Sequence, residues 1–390
     1  MTHDTSNAST GIVQFVPRPG ILDLGPGYLE PALLPVAALR DTLRSAMAMY
    51  GPQCLGYGAN RGPRPLLESL ARLTAGWDGR SYPIDSFLVT GGTSQMLDHL
   101  AGTLAAPGDV VLTEATSYNF GCDIFRQHGL RLVPVDCDDA GMTPTGLHKS
   151  IVELRRAEGR IAFAYVIPTF HNPTGRLTPL DRRLELLDVT GAHRVRVVED
   201  NAYRDIVLDD VAVPPSLLSL ADTGVVQLSS FSKCLAPGLR LGWLTGDVDL
   251  VERVATSAML HSGGCLNHVM ALMVSELFGS GAFDRHVTGL RRALTARRDA
   301  LLAGLRDGLP GGYHLAEPRG GFFVWLELPP GVTDTQVSTM AEEYGVGIVA
   351  GSRFAVGDAP PAVRLSFSFH PPADLHRAGQ LIAAGCRAIG

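Results

Sequence analysis

Between residues 85 and 246, short unbroken apolar runs alternate with segments of helical periodicity. The runs are "FLVTGG", "DVVLTEA", "RLVPVD", "IAFAYVIP", "RVRVVED", "VVQLSSF" and "LRLGWLTG". Such β-branched runs predict strands buried on both faces, and the amphipathic segments between most of them, such as "SQMLDHLAGTLA" and "DRRLELLDVTG", predict crossover helices. This is the pattern of an α/β fold built on a mostly parallel seven-stranded sheet. The last two runs lie too close together for a helical crossover, so "LRLGWLTG" is expected to run antiparallel to its neighbour. After residue 283 the pattern changes. "HVTGLRRALTARRDALLAGLRDG" predicts a long amphipathic helix, and "GFFVWLELP", "VGIVAG" and "AVRLSFSF", with helices between and after, predict a smaller α+β unit. The chain therefore reads as an extended arm over 1–35, a large domain over 36–282 and a small C-terminal domain over 283–390.

Composition narrows the classes. With 45% apolar and 18% charged residues, the 390-residue chain is that of a well-cored globular protein. A net charge of −6 offers no basic patch for nucleic acid. No apolar run is long enough for a membrane span, and the N-terminus lacks the basic and apolar regions of a signal peptide. The six cysteines are scattered without a CxxC pair, which predicts reduced thiols in a cytoplasmic protein. Neither HExxH nor GxxxxGK[ST] occurs, and no metal is expected.

Lysine is nearly absent. Only Lys149 and Lys233 occur, the other basic residues being arginine. Lys149 lies among charges in "GLHKSIVELRRAEG" and is expected on a solvated helix face. Lys233 sits between serines in "SSFSKCLAPGLRLGW", ahead of a Pro-Gly turn. Arginine serves for a surface charge, but only lysine can lose its proton and attack a carbonyl.

In open α/β sheets, sites form at the carboxyl ends of strands. The polar residues at those ends are therefore the candidates. Gly91 to Gln95 ("GGTSQ") open a helix, where free N–H groups and the dipole suit a phosphate. Tyr118 follows "DVVLTEA" and offers a ring for stacking. In "HNPTG", the turn directs Asn172 toward the crevice. Asp200 ends an apolar strand, where a carboxylate needs a partner, and Tyr203 follows. Ser230, Ser232 and Arg240 supply a second set of anion-binding groups around Lys233.

Together with "LGYGANRGPRPLLESLARL", "VTGGTSQMLDHLA", "YVIPTFHNPTGR", "VVEDNAYRDI", "PRGGFFVWLELP" and "VRLSFS", these stretches resemble the fold-type I pyridoxal-5′-phosphate (PLP) enzymes, within the aminoadipate/kynurenine-like branch of the class I/II aminotransferases. The motifs occur in family order from about residue 20 to the end. The resemblance implies an aminotransferase acting on an α-amino acid, with a 2-oxo acid acceptor, through a Lys233 Schiff base. It implies that Asp200 pairs with the pyridinium nitrogen, that Asn172 and Tyr203 reach the ring's phenolic oxygen, and that Tyr118 stacks on the ring. Thr93, Ser94, Ser230, Ser232 and Arg240 would hold the phosphate. Tyr57 would reach it from the partner in a homodimer. Arg364 would clamp the substrate α-carboxylate beside Asn172, Gly27 and Tyr28, with Asn119 and the Ser352–Arg353 loop also bearing on selectivity. The chain departs from the family at His171 (commonly glutamine), Ser229 (glycine), Cys234 (threonine) and Asn119 (proline). His171 is either an added acid or base or a packing substitution. These departures leave open a same-fold relative that performs elimination, replacement, decarboxylation or oxidative deamination in natural-product biosynthesis. A more remote alternative is a PLP-sensing regulator domain.

Overall fold

The computed structural model describes residues 20–389; the first nineteen residues of the expected arm lie outside that range. All seven predicted strands form and join one sheet. They are β1 (Phe87–Thr90), β2 (Val110–Glu114), β3 (Arg131–Val135), β4 (Ile161–Val166), β5 (Val197–Asp200), β6 (Val225–Ser230) and β7 (Gly242–Thr245). Their order across the sheet is β1-β7-β6-β5-β4-β2-β3. Neighbours are parallel except that β7 runs antiparallel to both β1 and β6, as the short connection required.

The sheet is apolar on both faces because each face is covered. Leu88, Val111, Phe163, Tyr165, Val198 and Val226 meet Met96, Leu97 and Leu100 of the helix Thr93–Leu104, with Val251 and Val254, on one side. Their neighbours Val110, Leu112, Ala164, Val166, Val197 and Val225 meet Leu147, Ile151 and Leu186 on the other. This period-two division puts one residue in each core and the next in the opposite one. Edge strand β3 is the exception, with only Val135 fully buried.

The C-terminal part carries four strands, β8 (His314–Leu315), β9 (Phe323–Glu327), β10 (Val349–Ala350) and β11 (Ala362–Ser366), in the antiparallel order β8-β9-β11-β10. Strand β8 was not expected. The run "VGIVAG" divides: Val349–Ala350 joins this sheet, whereas Val346–Gly347 pairs in parallel with Leu22–Asp23 of the arm. The long helix Ala282–Arg306 forms as predicted and packs on Pro372–Ile389. They approach at Gly304 and Gly379; a Cβ on Gly304 would lie 2.1 Å from the His376 carbonyl oxygen. The helices Val36–Tyr50, Arg64–Asp78 and His268–Gly279 were not read from the pattern. Lys149 is exposed on the helix Pro144–Arg156, as anticipated. No helix among the described residues is long and apolar enough to cross a membrane.

Candidate active site

The parallel strands deliver their carboxyl ends to one edge of the sheet, and the predicted residues gather there. Asp200 ends β5 and is 4% exposed. Tyr165, on the neighbouring β4, donates its hydroxyl to Asp200 Oδ2 at 2.9 Å, and the Ala202 N–H donates to Oδ1 at 3.1 Å. Burial pushes the carboxyl up to about 6, against the opposing pull of Tyr165, the Ala202 N–H and the positive charge of Lys233.

Lys233 follows β6, and its Nζ donates to the Gly27 carbonyl oxygen at 2.7 Å. Burial lowers the amine to about 8, helped by the charges of Arg364 and Arg240 and opposed by Asp200. Nζ lies 5.6 Å from the centroid of the Tyr203 ring. Tyr203 is buried edge-on against Phe322 and Phe323, and burial holds its hydroxyl far above the ordinary phenol range.

A second centre surrounds Gly92, the residue before the helix Thr93–Leu104. Its φ of +98° is a left-handed value, and a Cβ there would meet Arg240 Nη2 at 2.9 Å. Arg240 donates from Nη2 to the Gly91 carbonyl oxygen at 2.9 Å, and Asn267 braces its backbone by donating to its carbonyl at 2.8 Å. The helix has no side-chain cap, so the first-turn N–H groups of Thr93 and Ser94 remain available. Burial raises the Tyr118 phenol, partly offset by the neighbouring Ser94 hydroxyl. Ser230 Oγ accepts from the Ser232 N–H at 3.1 Å, fixing the turn that carries Lys233.

Arg364, on β11, is 8% exposed and lies between two rings, 4.1 Å from the Phe323 centroid and 4.6 Å from that of Phe354. Its Nη1 donates to Asn172 Oδ1 at 3.0 Å and its Nη2 to the Gly25 carbonyl oxygen at 2.9 Å. Nε has no partner, and no carboxylate pairs with this guanidinium among the described residues. Burial lowers it to about 10, with Tyr203 opposing and Arg353 adding to the effect. A buried cation with aromatic walls and an unused donor is built to receive an anion.

The arm supplies much of the frame. Gly25 and Gly27 offer carbonyls to Arg364 and Lys233, and Ser368 Oγ donates to the Tyr28 carbonyl oxygen at 2.8 Å. Asn119 begins the helix Asn119–Gln127, beside Phe120, which lies 5.9 Å from Tyr118 and from the Arg353 guanidinium. Tyr57 stands apart, 90% exposed. The sequence reading missed Tyr165, Phe354 and Glu114. Tyr165 alone gave a signal, since a tyrosine inside a strand buried on both faces needs a partner for its hydroxyl.

The comparisons agree with this geometry. The family description "Aminotransferase class I and II" matches residues 22–382. The chain therefore belongs to that family, PLP-dependent transferases of fold type I. It is 33% identical to the 2-aminoadipate transaminase of Thermus thermophilus, over 97% of this chain and 91% of that protein. It is 28% identical to aromatic-amino-acid aminotransferase 1 of Thermococcus litoralis, over 92% of this chain and 86% of the relative. The solved kynurenine aminotransferase of Pyrococcus horikoshii, in complex with PMP, superposes with a TM-score of 0.88 at 28% identity, covering 95% of this chain and 91% of that one.

The residues present fit PLP. Its phosphate suits the cradle of Gly92, Thr93, Ser94 and Arg240, where a side chain at residue 92 would intrude. Its ring nitrogen suits buried Asp200, and its aldehyde suits a lysine shifted toward neutrality.

Proposed function

We infer that this chain, a PLP-dependent aminotransferase of class I and II, acts on an α-amino acid with a 2-oxo acid acceptor. We propose the following roles for its residues. Lys233 Nζ holds the cofactor covalently and then moves the proton at the substrate's Cα. Asp200 keeps a proton on the ring nitrogen. When bound, the cofactor supplies an electron sink conjugated to that carbon. Tyr203 and Asn172 orient the ring, and Tyr118 covers one face. Thr93, Ser94, Ser230, Ser232 and Arg240 hold the phosphate. Arg364 binds the α-carboxylate, with Asn172 fixing the plane of its guanidinium and the arm at Gly27 and Tyr28 closing over the substrate. The observation that carries this reading is the position of Lys233, a half-buried amine lowered to about 8 between Asp200 and Arg364.

The active unit is a homodimer in this reading. Tyr57 at 90% exposure, Leu55 at 74% and Met49 at 65% leave apolar surface, which a second copy would cover while Tyr57 reached the partner's phosphate site. The rim combines aromatic surface at Tyr28 and Phe120 with the charge of Arg353. This supports α-amino acids with aromatic or carboxylate side chains, the kinds of substrate named for the relatives. Division near 35/36 and 282/283 is supported by the helices that open at Val36 and Ala282. Free thiols at all six cysteines support a cytoplasmic setting.

Borohydride reduction followed by peptide mass spectrometry tests the assignment. A phosphopyridoxyl group on Lys233 is expected, and amino-acid-dependent conversion of 2-oxoglutarate should accompany it. An adduct confined to Lys149, or a protein that takes up no PLP, would refute it.

A further inference from the structure

His171, which the resemblance marks as a departure from the family's common glutamine, is 1% exposed. Nε2 lies 3.1 Å from Oε2 of Glu114, although oblique to an ideal hydrogen-bond line. Nδ1 lies 2.8 Å from Thr174 Oγ1 and 3.4 Å from the Thr174 backbone nitrogen.

The surrounding donors select one form of this ring. Thr174 Oγ1 already accepts from the Arg176 N–H at 3.4 Å, so its own proton is free to point at Nδ1. The Thr174 N–H points there as well. Nδ1 must then be the acceptor, and the ring proton sits on Nε2, facing Glu114. The opposite tautomer would set N–H against N–H at one end and a lone pair against a carboxylate at the other. Burial alone would raise the Glu114 carboxyl, but His171, the Arg176 charge and the Ile167 N–H outweigh that and hold it below the ordinary value. The charged and titratable groups around the pair are thus Glu114 at the end of β2, Arg176 on the turn, and the Cys137 thiol beyond Glu114.

A primary amide offers the same two ends, an N–H donor and an oxygen acceptor. We propose that His171, as the Nε2–H tautomer, is a positioning residue that replaces a glutamine amide and fixes Asn172. It ties the turn to the end of β2, the strand that leads to Tyr118. Asn172 Oδ1 in turn braces Arg364 Nη1 at 3.0 Å. His171 acts through Asn172 and takes no proton from the substrate. The link from Asn172 to substrate binding rests on the functional reading above; the tautomer does not.

Three variants and one spectrum test this. His171→Gln keeps both ends and is expected within about threefold of wild type in kcat and KM. His171→Leu removes both, and should raise KM for the amino acid about tenfold or more while kcat falls less. Thr174→Val removes only the hydroxyl and should move KM the same way by a smaller factor; it carries the test if His171→Leu does not fold. Nitrogen-15 histidine spectra of the holoenzyme at pH 8, where an ordinary imidazole is neutral, should lose an Nε2–H signal in His171→Gln. Wild-type KM in both His171→Leu and Thr174→Val would overturn the proposal, as would an Nδ1–H or doubly protonated His171 signal. Equal loss of kcat in His171→Gln and His171→Leu would also overturn it, because the ring would then be an acid or base. If Lys233 carries no cofactor, the functional reading fails while the tautomer result stands.

Discussion

Replacing Tyr165 by Phe removes one oxygen and leaves the ring packed on Phe125 and Phe163. That oxygen is the donor 2.9 Å from Asp200 Oδ2. A hydrogen bond to a charged group contributes about 1.5–3 kcal/mol. At 1.36 kcal/mol per pH unit, its loss should move the Asp200 midpoint up by about one to two pH units from its present value of about 6. The sign follows because Tyr165 donates to the carboxylate and stabilises only the ionised form. A protonated ring nitrogen needs that form. At pH 7 the variant should therefore bind PLP about two- to tenfold more weakly from ionisation alone. The assay is titration of the apo-protein with PLP from pH 6 to 8.5, followed by cofactor absorbance. The ratio of wild-type to variant affinity cancels protons that titrate in both. It should be largest at the acid end of that range and shrink toward alkaline pH. Stability gives a second readout. A carboxyl raised from 3.8 to about 6 by folding contributes stability that is present below 3.8 and lost as pH rises through 6. In Tyr165→Phe that loss should extend to higher pH, lowering apo-protein melting at pH 8 relative to wild type. A flat affinity ratio, or one that grows with pH, would refute the placement of Asp200 and its tuning by Tyr165.

Covalent capture of PLP should quicken as pH rises through about 8, where Lys233 becomes neutral, and Lys233→Ala should abolish borohydride trapping. Arg364→Lys should raise KM for amino acids with little change in cofactor absorbance. The loss should be about 1.5–3 kcal/mol, because an ammonium cannot reproduce the planar fork. Gly92→Ala should weaken PLP binding and lower the melting temperature, since the new Cβ meets Arg240 Nη2 at 2.9 Å in a left-handed backbone; wild-type values would exclude this cradle as the phosphate site. Tyr57→Phe should loosen PLP modestly, and activity should fall on dilution through the dimer dissociation constant; a fully active monomer seen by analytical ultracentrifugation would contradict the shared site.

The strands of the large sheet were legible because burial on both faces leaves long apolar β-branched runs, and because a short β6–β7 connection permits only an antiparallel pair. Lys233, Asp200, Asn172 and Arg240 were legible for a related reason: each is a polar residue at the end of an apolar strand or in a glycine- or proline-marked turn. Two-residue strands such as His314–Leu315 and Leu22–Asp23 left no such trace, since their pairing depends on partners distant in the chain. The isolation of Arg364 from any carboxylate was equally invisible. It depends on Phe323 from β9 and Phe354 from the loop before β11 closing around the guanidinium. The role of His171 depended on tertiary structure in the same way. Its residue type departed from the family pattern, but the ring's chemistry was set by Glu114, 57 positions earlier in the chain. Composition and periodicity report what a residue buries, and so they determined the scaffold and the kinds of groups at its edge. Which proton each group holds depends on the donors and charges that folding brings within a few ångströms, and only the tertiary structure decided that.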